Sequence, residues 1–396
     1  MATPSSLRYF RSSPSLIRLR GILRVSSRSI ALSCPSFVRS KSTAPTSTMK
    51  RVMSWIWRPL RKRLSISAEP AAETASRAPQ KPLQVGEAVC SDSGQTYTIE
   101  EVLLERSDVS MFVYRASSRG KPYVLKNSTP GDFEYYRKLM TVTLHSIPNV
   151  RPLVDTKASL ELLIYPFLDA HLLEFAQKNL SASTRRDIVR DALQGLADMH
   201  DRGVIHNDIK PNNILVNYQE NGEDEPIITA VQIGDIEDAV DIGSVKGIFG
   251  GICGNQLWRS PESWAKGLQN RPSDIFSFAI FAIYVVLKWM PFKVPIEQLE
   301  APDSWRHIIG KHIFFFGDDE GLRGLFRYLG SDNPFVDRII EVADTFKTSN
   351  PRAPISVWRF GDEDFKDLLS KMTILDPTRR ITAREALKHP WFSKEL

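Results

Sequence analysis

At 396 residues the chain has room for more than one domain, and its 42% hydrophobic and 10% aromatic content supports a sizeable packed core. Three widely spaced cysteines, Cys34, Cys90 and Cys253, offer neither a disulfide framework nor a metal-ligand pattern, and a reducing compartment is the simplest reading. The formal charge of +6 is unevenly placed. Residues 1–68 hold fourteen Lys or Arg and no acid, leaving 38 basic against 46 acidic residues elsewhere, so a basic nucleic-acid-binding domain is not indicated.

In chain order, residues 1–68 form a Ser/Arg-rich basic tail. Within Ser15–Arg24, the residues Leu16, Leu19, Ile22 and Leu23 fall on one helical face. An acid-free, Arg-rich, amphipathic start is the composition of a mitochondrial transit peptide, so a mitochondrial location is expected, with cytoplasm or nucleus as alternatives. A disordered basic tail, or translation starting at Met49, accounts for the same residues. A second cluster, Lys50, Arg51, Arg58, Arg61, Lys62 and Arg63 around Trp55–Trp57, suits an acidic membrane surface. Residues 69–95, with Pro70, Pro79 and Pro82 among Ala and Ser, read as a disordered linker. No stretch qualifies as a membrane span: Phe276 to Leu287, the longest apolar run, is broken by Ser277 and fits a buried core helix.

Residues 97–394 read as one folded unit. Thr96 to Ala116 alternates enough for two strands, the second at Val113–Ala116, and the stretch between them, Leu104 to Val113, holds no glycine. Tyr123-Val124-Leu125-Lys126 is an apolar strand ending in a lysine, and Glu134 follows in a segment with helical spacing. Leu160 to Tyr165 is a further strand running into Pro166-Phe167-Leu168-Asp169. Val189 to Arg202 has helical periodicity and leads into His206-Asn207-Asp208-Ile209-Lys210-Pro211-Asn212-Asn213-Ile214-Leu215.

This last loop places an acid, a cation and an amide within six residues. Asp208 can orient a hydroxyl and accept its proton, Lys210 can neutralise charge on a transferred phosphoryl group, and Asn213 can hold Mg²⁺. Tyr218 to Pro226 then reads as an acidic hairpin turn, and Asp235 follows in Gln232-Ile233-Gly234-Asp235-Ile236-Glu237 as a hard oxygen donor. Further on come Trp258-Arg259-Ser260-Pro261-Glu262, Ser273-Asp274-Ile275-Phe276, a helical insertion over 296–365, Asp376-Pro377-Thr378-Arg379-Arg380 and His389-Pro390-Trp391-Phe392. Taken singly each has an ordinary explanation, such as a solvated lysine, a surface carboxylate or a turn aspartate. Their common order is what makes them specific.

That order resembles the eukaryotic protein kinases, and the Lys-Pro-x-Asn form of the loop resembles their serine/threonine branch. The resemblance implies an α+β, bilobal fold with a small β-rich N-lobe and a larger, mainly helical C-lobe. It implies ATP and Mg²⁺ as cofactors, Asp208 as catalytic base, Lys210 as charge stabiliser, and Asn213 and Asp235 as metal ligands. Lys126 would grip the α and β phosphates, aligned by an ion pair to Glu134. Tyr165 would lie near the gatekeeper position, the backbone at Phe167 and Leu168 would meet adenine, and Leu215 and Arg106 would border the nucleotide. Arg380 would pair with Glu262 in the interior, while Asp274 would cap the central helix and tie down the catalytic loop.

The departures are equally specific. Asn207 stands where the family has Arg, Ile236 and Glu237 replace the Phe and Gly after the metal-binding Asp, and the glycine-rich loop is missing. Loss of those glycines should weaken phosphate gripping and bring Asp108 near the phosphates, with Arg106 as electrostatic compensation. Without the Arg, activation by a phosphorylated segment is not expected, and Asp238 to Arg259 would be held by its own packing. Cys253, in that segment, is either a redox-sensitive thiol or a small filler. Two functions follow: an active kinase acting on an unidentified protein substrate, or a pseudokinase serving as a nucleotide-binding or scaffolding module. Phosphorylation of a small molecule is a third reading.

Overall fold

The computed structural model describes residues 82–393, apart from 107–110, 130, 223 and 244–245. The expectations for the basic tail, its membrane-facing cluster, residues 69–81 and Asp108 lie outside the described residues.

Six antiparallel strands form the small lobe: β1 (Ala88–Cys90), β2 (Thr96–Arg106), β3 (Met111–Ser118), β4 (Lys121–Asn127), β5 (Asp155–Lys157) and β6 (Leu162–Pro166), in the order β1-β2-β3-β4-β6-β5. The folded unit therefore starts before residue 97. Val89 is buried in the small-lobe core, β1 pairs with β2, and the Leu83 amide donates to the Tyr114 hydroxyl at 2.9 Å. The prolines and alanines that suggest a linker hide a short edge strand here.

The two-residue period of a strand sorts side chains to opposite faces. On β6, Leu162 and Ile164 enter the small-lobe core with Tyr97, Tyr114 and Leu125, while Leu163 and Tyr165 face the other way, into the large core. On β4, Leu125 enters the small-lobe core and Lys126, directly opposite Leu163, does not. Alternation alone thus places the strand-end lysine toward the cleft.

Helix α1 (Phe133–Lys138) follows β4. The large lobe contains the two-residue strand β7 (Ala170–His171), α2 (Leu172–Phe175), α3 (Ala182–Asp201), β8 (Val204–Ile205), β9 (Ile214–Gln219), β10 (Ile227–Ile233) and β11 (Val240–Asp241). Its helices continue as α4 (Pro261–Trp264), α5 (Arg271–Leu287), α6 (Ile296–Leu299), α7 (Ser304–Phe316), α8 (Asp319–Leu329), α9 (Phe335–Ala343), α10 (Glu363–Met372), α11 (Ala383–Leu387) and α12 (Pro390–Ser393). The expected helical insertion over 296–365 is α6 to α9, whose Ile308, Ile309, Ile313, Leu325 and Ile339 join the common core.

Helix α3 begins at Ser181, whose side chain accepts from the Thr184 amide, and stops before Gly203, which takes the left-handed conformation (φ 74°) that ends many helices. Its buried stripe, Ile188, Val189, Ala192, Leu193, Leu196 and Ala197, faces the core. The acidic hairpin is more than a solvated turn: Glu225 accepts from the Ser181 amide at 2.6 Å and from the Thr184 hydroxyl at 2.8 Å, reinforcing the start of α3. Helix α5 is buried on all sides, which accounts for its unbroken apolar run, and among the described residues no helix is long and apolar enough to cross a membrane.

Against α5 lies His312, 1% exposed and packed on Phe292 (ring centroids 4.4 Å apart) and Phe276 (5.0 Å), with neither ring nitrogen hydrogen-bonded. Burial, aided by Arg380, pushes its pKa down to about 3. The folded state therefore keeps it neutral while the unfolded chain protonates near pH 6.5. Its contribution is complete above that pH and is lost as pH falls toward 3, by at most about 1.4 kcal/mol per pH unit. In urea titrations from pH 7 to 4, His312→Leu is expected to lose stability less steeply than the natural chain.

Candidate active site

The loop after α3 is fixed from below by one carboxylate. Asp274, in the first turn of α5, accepts from the His206 amide (2.7 Å), the Asn207 amide (2.8 Å) and His200 Nε2 (2.9 Å). It ties down the loop as expected, but the helix cap is Asn270, whose side chain accepts from the Arg271 amide. Asp274 stands one turn inward and is left free to reach the loop. His206 is a buried prop: its Nδ1 accepts from the Asp208 amide (3.2 Å), so Nε2 carries the proton given to the Gly234 carbonyl (3.0 Å). One imidazole thus links the Asp208 loop to the Asp235 segment. Asn207 holds φ 65° and donates through Nδ2 to the Asp238 carbonyl (2.9 Å).

Asp208 is held on both oxygens. Oδ1 accepts from the Asn255 amide (2.9 Å), and Oδ2 accepts from Lys210 Nζ and from Asn213 Nδ2 (3.1 Å). Burial works against charge on Lys210, but the Asp208 carboxylate outweighs it and keeps the ammonium protonated. Asn213 also donates to the Asp208 carbonyl (2.9 Å), which leaves its amide oxygen as the donor available to a cation.

The approach of the 253–259 segment to this loop requires a glycine. Gly254 has φ 75°, and a Cβ there would lie 2.4 Å from the Asn207 carbonyl oxygen. Gly254→Ala is expected to cost about 1–3 kcal/mol in chemical denaturation and to displace Asn255 from Asp208. Around it, Arg259 donates to the Cys253 carbonyl (2.8 Å) and stacks on Trp264 (4.6 Å), Ile248 and Gln269 form a backbone bridge, and the Gln269 side chain donates to the Gly251 carbonyl (2.7 Å). The described part of the segment is therefore held largely by residues outside it, Trp264, Gln269 and the Asp208 loop, and only in part by its own packing. Cys253 is buried with Ile205, Ile242 and Ile248, and that burial pushes its thiol up to about 12, which suits a small core filler.

Across the cleft, Lys126 Nζ lies 2.5 Å from Asp235 Oδ1 and 2.6 Å from Glu237 Oε1. Burial disfavours the charge on Lys126, but the two carboxylates more than offset it and raise its pKa. Burial likewise opposes charge on Asp235, yet Lys126 holds it well below the usual carboxylate range. Glu237 is pushed up, by burial and by the adjacent Asp235. Asp235 sits in the left-handed region (φ 60°), a strained conformation that the 3₁₀ turn Ile236–Asp238 and the His206 link sustain.

The expected Lys126–Glu134 pair is not formed. Glu134 is 67% exposed at its side chain and bonds Arg137, one turn further along α1. What α1 offers the cleft is two tyrosines: Tyr136 donates to the Glu237 carbonyl, and Tyr135 donates to the Ala239 carbonyl (3.3 Å) while accepting from the Asp241 amide (2.9 Å).

The other residues expected near a nucleotide stand as follows. Tyr165 is buried with no partner for its hydroxyl, and its ring stacks on Arg151 (5.2 Å). Arg151, missed from sequence, also donates to the Pro166 carbonyl through Nε (2.9 Å) and Nη2 (2.5 Å). The Phe167 amide donates to the Pro122 carbonyl (3.2 Å), its ring is covered by Arg115 (4.9 Å), and Leu168 beside it is buried. Leu215 lies against Gly234, beside Asp235. Arg106 ends β2 opposite Met111, at the mouth of the 107–110 connection.

Two lobes, a lysine on the third long strand of the small lobe, and Asp208, Asn213 and Asp235 on consecutive loops of the large lobe can be compared with known proteins. A family model for the protein kinase domain matches residues 154–392, more than half of the chain. The chain belongs to the protein kinase family. Its curated relatives include the calcium/calmodulin-dependent protein kinase cmkB of Emericella nidulans, 22% identical over 213 residues (53% of this chain, 41% of that protein). A calcium/calmodulin-dependent protein kinase type 1 of Macrobrachium nipponense is 25% identical over 207 residues (52% and 46%). The match thus covers less than half the length of each relative. Among solved structures, a chain of the yeast RNA Pol II CTD kinase CTDK-1 complex superposes with TM-score 0.58 at 17% identity, covering 83% of this chain and 98% of that one. This last likeness shows the fold alone: a β-rich small lobe and a helical large lobe.

Proposed function

We propose that this kinase-family chain transfers the γ-phosphate of ATP to Ser or Thr hydroxyls of a protein substrate, with Mg²⁺ as its metal. The observation that carries the reading is the convergence of Asp208, Lys210 and Asn213 in one hydrogen-bonded cluster facing Lys126 and Asp235. The donor set suits a hard cation: the carboxylate of Asp235, held ionised beside Lys126, and the amide oxygen of Asn213. When bound, Mg²⁺ would neutralise phosphate charge. Asp208, fixed by Asn255 and Lys210, would orient the attacking hydroxyl and take its proton. Lys210 would face the charge that spreads over the transferred phosphoryl group, and Lys126 would hold the phosphates in line. Phosphoryl transfer needs mainly such positioning and charge stabilisation.

The pseudokinase reading draws on a different observation, the absence of glycine between Leu104 and Val113. Incubation with radiolabelled ATP and Mg²⁺ on generic basic protein substrates separates the two. Label appearing on Ser or Thr supports transfer. ATP-dependent thermal stabilisation without label leaves a nucleotide-binding module, and neither signal leaves only a scaffolding one.

A further inference from the structure

The lysine of a phosphate-gripping strand needs a carboxylate to aim it, and here the helix that could supply one points its glutamate to solvent. The geometry assigns that task to Glu237: we propose that Glu237 is the positioning residue for Lys126, making the Lys126–Asp235–Glu237 group independent of any carboxylate on helix α1. The inference rests on the kinase reading above and deepens it.

Three observations carry it. Glu237 Oε1 lies 2.6 Å from Lys126 Nζ, as close as a charge-assisted hydrogen bond comes. The rest of its carboxyl is buried against Asp235 and not turned to the water that a residue filling a mere turn would face. And α1 clamps the backbone at and just after this residue, Tyr136 at the Glu237 carbonyl and Tyr135 at Ala239 and Asp241, so the helix helps to hold the carboxylate in place. The residue that breaks the family's glycine position thus takes over what Glu134 does not do. Because Glu237 is two residues from Asp235 on one 3₁₀ turn, both carboxylates reach Lys126 together. A hinge-like swing of α1 is then not needed to assemble the group, and the ligand it serves is the triphosphate of a nucleotide.

The test uses the full chain and ATP with Mg²⁺ as probe, reading Kd by calorimetry, KM for ATP, kcat and Tm for Glu237→Gln, Glu237→Asp, Glu134→Gln, Lys126→Met and the pair Lys126→Met/Glu237→Gln. Glu237→Gln is expected to weaken Kd and KM for ATP about 10–100-fold with kcat less affected, as for other groups that orient a functional side chain. Glu237→Asp should recover most of the loss, Glu134→Gln should change nothing, and the Gln should add little once Lys126 is gone. Unchanged ATP affinity in Glu237→Gln overturns the assignment, as does an equal loss from Glu134→Gln. A fall in Tm that is the same with and without Lys126 marks a purely structural residue and also overturns it. If the natural chain binds ATP but transfers no phosphate, the kinase reading fails while the binding cycle still decides the role of Glu237. If it binds no ATP, both fall.

Discussion

Asp208→Asn is expected to lower kcat about 10²–10⁴-fold while leaving the affinity for ATP nearly unchanged. The amide has nearly the shape of the carboxylate and its one remaining oxygen keeps the Asn255 or the Lys210 bond, but the group can no longer accept a proton from the substrate hydroxyl. Steady-state phosphate transfer and ATP titration on the same preparation check this. Equal transfer by variant and natural chain would remove Asp208 from the chemistry. A drop in ATP affinity as large as the drop in kcat would instead make it a binding residue.

The largest effect on stability is expected away from the cleft. Arg380 and Glu262 are both 0% exposed at their side chains and form a two-pronged pair at 2.7 and 3.2 Å. Arg380 also donates to the carbonyls of Pro272 (2.7 Å) and Ile374 (2.9 Å) and stacks over Phe276 (5.1 Å). Cutting Glu262 to Ala leaves a guanidinium stranded in the interior, and urea unfolding is expected to show a loss of about 3–5 kcal/mol. Arg380→Leu combined with Glu262→Leu should lose less than the two single changes added together, because the main cost lies in leaving one charge unpaired. Strict additivity would show that the two side chains act separately.

These two sites were also the most legible in the sequence. Asp208, Lys210 and Asn213 lie within six residues, so a single loop had to bring them together, whereas the pairing of Glu262 with Arg380 came from the resemblance to the protein kinases. The strand lysine was legible because alternation on β4 decides which way Lys126 faces. Glu134 was not, since spacing on a helix of six residues says which side chains share a face but not which face meets the cleft. Arg137, three residues on, captured it. Glu237 stood in plain view and was read as a lost glycine, because the pattern records what a position usually lacks and not what a new carboxylate can reach. Gly254, Asn255 and Arg151 carry no chemistry of their own in the sequence. Their roles depend on how closely two backbones pass, which only the folded chain decides.

Asp274 belongs to the longest buried helix and yet is spent on the loop that carries Asp208. The geometry of that loop is therefore inherited from the centre of the large lobe and not from the cleft's own walls. Whatever loosens α5 thus also loosens the support under the acid.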